Sequence, residues 1–133
     1  MGNEEKRIFP ITLVGEVVHG KALGRTVGMP TANLCVTSGK LPKAGVYATK
    51  IEIGDRIYKS ITNIGKRPSV DRRDEITVET YILDFEEEIY GQTVKLEVCK
   101  FLRPVMKFKN LEEVYQQVKK DALEAKEYFR INK

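Results

Sequence analysis

At 133 residues, with 41% hydrophobic and 32% charged residues, the chain has the length and balance of one globular domain with its own core. The net charge of +4 is mild; it fits an anionic ligand and argues only weakly for nucleic acid, because Lys and Arg are scattered rather than massed. No apolar run approaches the roughly 20 residues that span a bilayer.

The opening decapeptide MGNEEKRIFP carries no apolar signal core, so the chain reads as cytoplasmic, without a membrane anchor. Gly2 does not make a myristoylation site, since Lys6 stands where Ser or Thr is required. Residues 1–10 read as a flexible lead-in, and residues 1–133 as a single domain. The initiator-like Met1 and the residues before Leu13 lean towards a free-standing protein.

Leu13 to His19 reads as the first strand. A loop follows with Gly20, Gly24 and Gly28, closed by Pro30-Thr31-Ala32-Asn33. Glycines let backbone approach a ligand without an intervening Cβ, and successive N–H groups form an anion cradle. Lys21 and Arg25 add positive charge to it. Thr31 and Asn33 share one face of an extended segment, and such oxygen donors suit Mg²⁺ or another divalent metal. The residues therefore suggest a loop for a polyphosphate with its metal. A plain turn is the bland alternative, since the spacing is neither GxxxxGK[ST] nor GxGxxG. His19 is the single histidine and cannot build a zinc site.

Ala32 to Val36 reads as a short strand, and Thr37 to Gly45 as loop. Val46–Ile53 and Arg56–Asn63 flank Gly54-Asp55 as a hairpin, one face largely apolar and the other mixed. Ile64 to Glu75 reads as an irregular loop. Its run Asp71 to Glu75 is a solvated flap surface, with Arg72 or Arg73 as a substrate contact in the alternative reading. Ile76–Phe85 is the longest clear strand, Ile89 to Gln92 a turn, and Thr93–Leu102 the returning strand. Arg103 to Lys109 connects to a helix that Asn110 caps, with Glu113 as capping-box partner. Leu111, Val114, Val118, Ala122, Ala125 and Phe129 give that helix its apolar stripe. Cys35 and Cys99 lie in apolar strand-like contexts and read as reduced core residues.

Several strands followed by one terminal helix make an α+β domain, mainly β, with an antiparallel sheet. Periodicity leaves barrel and sandwich open. Within this frame Glu79 lies on a strand beside apolar and aromatic neighbours, where a carboxylate is costly to bury unpaired. That makes it a candidate base with a tuned pKa; a half-exposed strand Glu is the plain alternative.

In order, Pro30-Thr31-Ala32-Asn33, Asn63-Ile64-Gly65 with Arg67-Pro68, Val78-Glu79-Thr80, Tyr90-Gly91 and Leu102-Arg103-Pro104 resemble the riboflavin kinase (flavokinase) family, over roughly Leu13 to Tyr128. The resemblance implies an antiparallel Greek-key barrel of about six strands with a C-terminal helix. It implies transfer of the γ-phosphate of ATP to the 5′-hydroxyl of riboflavin, giving FMN. Thr31 and Asn33 would hold magnesium, and the loop with Gly20, Lys21, Gly24, Arg25 and Gly28 would cover the phosphates. Glu79 would take the hydroxyl proton, Tyr90 would stack on adenine, and Arg103 and Phe108 would contact the flavin. Many members carry His where this chain has Tyr81, which leaves ribityl or ATP contacts there open.

In many bacteria the family's kinase domain is fused behind an adenylyltransferase domain, which the sequence here does not include. A monomer is compatible with the sequence, as is a downstream FAD synthetase as partner; membrane and nucleic acid are not expected. Two rival readings differ in kind. A nucleic-acid-binding barrel would use surface aromatics as stacking platforms, but no aromatic-basic cluster lies on one strand. A flavin carrier without kinase activity would have no use for the Thr31/Asn33 pair.

Overall fold

The computed structural model describes residues 9–18, 31–68, 74–85 and 87–132. Among the described residues six strands are formed: β1 Ile11–Val18, β2 Thr31–Ser38, β3 Gly45–Ile53, β4 Arg56–Pro68, β5 Asp74–Ile82 and β6 Thr93–Arg103. A helix, α1 Leu111–Ile131, follows β6. The strands close into an antiparallel barrel in the order β1-β2-β5-β4-β3-β6. β3, β4 and β5 are sequential neighbours, and β6 returns beside β3, which is a Greek key. Closure gives every strand a neighbour on both sides, although β2 and β5 share only the three pairs from Thr31–Tyr81 to Asn33–Glu79.

Period-two alternation fills the interior. Leu13 and Val17 of β1, Tyr47 and Ile51 of β3, Val78 and Ile82 of β5, and Val94, Leu96 and Val98 of β6 point inward as one core. Gly15 lies at the β1–β2 bulge, where a Cβ would come 2.9 Å from the Cys35 carbonyl oxygen. Four hydroxyls also share this interior. Ser60, Thr49, Thr62 and Thr80 are each fully buried and linked in one chain, at 2.7, 2.9 and 2.9 Å. A hydroxyl can give or accept, so each of the four finds at least one partner in the chain and their desolvation is offset.

A second core lies outside the barrel. Val46, Ala48, Ile61, Tyr81 and Leu83 face outward and are covered by Val118, Ala122, Ala125 and Phe129 of α1. This is why β3 is buried on both faces between Gly45 and Thr49, where the sequence suggested one mixed face. The helix starts as its cap predicts: Asn110 Oδ1 accepts from the Glu113 backbone N–H at 2.9 Å. Glu113 Oε1 accepts from the Lys109 backbone N–H, one residue before the expected Asn110.

The expected loop over 64–75 is corrected. β4 continues to Pro68 and pairs with β5 from Asp74, which makes β4 the longest strand, at 13 residues. Gly65 and Pro68 read as breakers, yet Gly65 sits mid-ladder opposite Thr77 and Pro68 ends its strand, where its missing N–H is tolerated. β2 runs three residues beyond Ala32–Val36 in sum, from Thr31 to Ser38. The cysteines are free thiols but not core residues: Cys35 is exposed on the outer side of β2 and Cys99 half-buried. Residues 1–8 of the expected lead-in, and Arg72 and Arg73, lie outside the described residues. Phe9 packs its ring 6.2 Å from that of Tyr47. Among the described residues, no helix is long and apolar enough to cross a membrane.

Candidate active site

The strand registers place the chemistry-bearing residues in one band around the outside of the barrel. Val18 pairs with Asn33, Asn33 with Glu79, Glu79 with Asn63, Asn63 with Val46, and Val46 with Arg103. The band crosses six strands without a gap. Ala32 and Leu34 are buried in the barrel, so Thr31 and Asn33 face outward, as do Glu79 and Tyr81 on either side of buried Thr80. Thr31 pairs with Tyr81 and Asn33 with Glu79, making a two-by-two block of side chains on one surface. Directly opposed Cβ atoms lie about 5 Å apart.

Part of this band forms the floor of a crevice of about 620 Å³, counting its open mouth, roofed by α1 and the segment before it. Val46, Ile61, Asn63, Glu79, Tyr81 and Arg103 line the floor, and Met106, Phe108, Val114, Val118 and Asp121 close over it. The mix of apolar wall and few polar groups suits a planar heteroaromatic ligand. Burial raises the Glu79 carboxyl above its ordinary 4.5. Burial, reinforced by the Glu79 and Asp121 carboxylates and opposed by Arg103, raises the Tyr81 phenol to about 12. Tyr81 is therefore neutral at physiological pH, and Glu79 is a stronger base than a surface carboxylate.

Of the residues singled out from sequence, Thr31, Asn33 and Glu79 come together on the outer surface. Arg103 and Phe108 line the same crevice at the helix end. Tyr90 lies apart, 40% exposed, in a turn anchored by the Gly91 N–H to the Val17 carbonyl at 2.9 Å. That anchor is one residue from Val18, at the other end of the band. Gly20, Lys21, Gly24, Arg25, Gly28 and His19 lie outside the described residues. The described residues Val18 and Asn33, one before those positions and one after, pair with each other on the band.

Thr31 and Asn33 fit a partly hydrated cation. They offer two neutral oxygens on one face, next to a carboxylate, and Mg²⁺ characteristically keeps positions for water and phosphate. Among the described residues, no three His, Cys, Asp or Glu side chains gather into an all-protein cage.

Sequence reasoning missed Asp121, and quoted Asn63 only within a family motif without giving it a place in the site. Asn63 stands directly across from Glu79, a relation that only the β4–β5 register reveals. Asp121 is 2% exposed and holds Arg103 through two hydrogen bonds, Nε to Oδ1 at 2.9 Å and Nη2 to Oδ2 at 2.8 Å. Its signal was present, because it falls three residues after Val118 on the apolar stripe, where a charge is out of place.

Comparison with known proteins agrees with this geometry. A family model described as Flavokinase, riboflavin kinase, matches residues 7–129. The chain is 37% identical over 123 residues to the bifunctional riboflavin kinase/FMN adenylyltransferase of Bacillus subtilis (strain 168), covering 90% of this chain and 39% of that protein. It thus spans about two fifths of the length of that relative. A crystal structure described as a macrolide-efflux protein from Streptococcus pneumoniae superposes with a TM-score of 0.82 at 36% identity, over 88% of this chain and 38% of that one. Riboflavin kinase from Trypanosoma brucei shares the fold, with a TM-score of 0.59 at 22% identity over 92% of this chain and 79% of that one. Matched along nearly its whole length, the chain belongs to the riboflavin kinase family.

Proposed function

We propose that this chain transfers the γ-phosphate of MgATP to the 5′-hydroxyl of riboflavin, giving FMN and ADP. The observation that carries the reading is the band itself. It sets the Thr31/Asn33 oxygens beside the Glu79 carboxylate, and a half-apolar crevice begins at that carboxylate and runs under α1. A long ligand with a planar head and a flexible hydroxylated tail fits that layout. The head would lie between Phe108, Val118 and Arg103, which line the crevice with Glu79, and the tail would reach Glu79.

Phosphoryl transfer needs positioning and charge neutralisation more than covalent help from the protein. Glu79 accepts the proton of the 5′-hydroxyl as that oxygen bonds to the γ-phosphorus. The bond from phosphorus to the β–γ bridging oxygen breaks, and ADP leaves with its electron pair. Its raised pKa, caused by burial, makes Glu79 a better proton acceptor than a surface carboxylate. Thr31 and Asn33 would hold the magnesium, which would supply neutralisation of phosphate charge. Gly20, Lys21, Gly24, Arg25 and Gly28 take the phosphates on the strength of the sequence pattern, between Val18 and Asn33, which pair on the band. Tyr90, on the same side of the band, is assigned to the adenine, and Arg103 and Phe108 to the flavin. FMN released here is a substrate for an adenylyltransferase of the kind that the Bacillus subtilis relative's name couples to the kinase.

The test is the mass of the product after incubation with riboflavin, ATP and magnesium. Riboflavin plus one phosphate is expected. Unchanged riboflavin with a folded chain would overturn the assignment.

A further inference from the structure

Asp121 is, among the described residues, the one charged side chain buried with the core residues. The bidentate pair with Arg103 is joined by Gln117 Nε2, which donates to Asp121 Oδ1 at 3.0 Å. Arg103 Nη1 donates to the Pro104 carbonyl at 3.1 Å. Both partners line the crevice, at side-chain exposures of 16% and 3%.

Stability does not explain this pair. Two buried charges lose hydration, and a well-packed apolar pair of similar volume holds a helix on a sheet at least as well. The chemistry of the crevice does explain it. A guanidinium has five N–H donors, of which three are engaged here, so two remain for a ligand. Asp121 cancels the charge of Arg103 while leaving those donors in place. The rest of that end is Val46, Ile61, Met106 and Phe108 with Val114 and Val118, all uncharged. Net charge is confined to Glu79, three strand steps away, or about 14 Å along the sheet at the usual strand spacing.

The geometry points to Asp121 as a positioning residue that sets ligand specificity: by neutralising Arg103 it makes the crevice prefer an uncharged flavin over its phosphorylated product. The inference rests on the proposed riboflavin kinase reading and adds product discrimination to it. With Arg103 uncompensated, a phosphate held near Glu79 would feel a full positive charge. Because the sheet curves, about 14 Å is the upper limit of the separation; at that limit and an effective dielectric of about 20, the attraction is worth roughly a fivefold to tenfold change in Kd per phosphate charge before screening.

Titrations that follow flavin fluorescence, with riboflavin and with FMN, test this on the whole chain. Asp121→Asn should shift the FMN-to-riboflavin affinity ratio towards FMN by about tenfold, and added salt should shrink the shift. Asp121→Glu should restore the ratio of the unaltered chain. An unchanged ratio in folded Asp121→Asn, or a shift indifferent to salt, overturns the proposal. The double variant Arg103→Met/Asp121→Leu leaves no orphaned charge and keeps the test available if Asp121→Asn does not fold. It should bind riboflavin more weakly and gain nothing for FMN; riboflavin affinity equal to that of the unaltered chain overturns the proposal. If the unaltered chain binds no riboflavin, the kinase assignment itself fails, an outcome separate from these.

Discussion

At the scale of single residues, Glu79 carries the clearest consequences. A carboxyl whose folded pKa stands above its unfolded value binds more protons when folded. Stability is therefore greater below about pH 4.5 with respect to this group, and is lost as pH rises through the raised folded value. Glu79→Gln removes that cost. It should cut turnover by about a hundredfold or more, leave ATP binding near normal, and raise the melting temperature at neutral pH. A melting curve and a steady-state assay on one preparation check both. In the unaltered enzyme, the rising limb of kcat against pH should have its midpoint above 4.5. Replacing Thr31 or Asn33 by Ala should raise the magnesium concentration for half-maximal rate by about tenfold or more, as loss of even an outer metal partner does. Glu79, Thr31 and Asn33 were legible because short motifs carry them in order. The burial of Asp121 could be read from its place on the apolar stripe, but its role could not, because that depends on Arg103, 18 positions away in sequence and beside it only once α1 docks.

At the scale of elements, alternation served best where one face is wet. β6 reads as Val94, Leu96, Val98 inward and Lys95 outward, and so it folds. Alternation served worst where both faces are covered. β3 shows no wet face over Gly45 to Thr49, because the barrel takes one side and α1 the other. The far half of β4 was hidden for another reason: Gly65, Lys66 and Pro68 have loop composition, but backbone pairing with β5 outweighs propensity. The start of α1 was legible to the residue, since a cap is local chemistry. Asn110→Ala should cost about 1 kcal/mol, read as a lower urea midpoint with an unchanged slope.

At the scale of the whole molecule, the barrel and the crevice are separable. The barrel interior is closed by its own strands, whereas the crevice exists only where α1 lies on the outer core of Val46, Ala48, Ile61, Tyr81 and Leu83. A flavin bound there links roof to floor, so it should slow amide exchange along α1 more than in β1 or β6. Hydrogen exchange with and without riboflavin measures the difference. The Greek-key order was implied by family likeness rather than by periodicity, since alternation is equally compatible with a sandwich.

The register of the outer band has a further result for how such a chain can change. Glu79 faces out because it is an odd step from Val78 and Thr80, which face in. One inserted or deleted residue inside β5 would invert that parity, drawing the carboxylate inside and turning apolar side chains to water. Changes in steps of two would instead slide the carboxylate along the strand past Asn33 and Asn63. Length variation in such chains should therefore collect between strands, and within β5 only even-numbered changes could leave an outward-facing base.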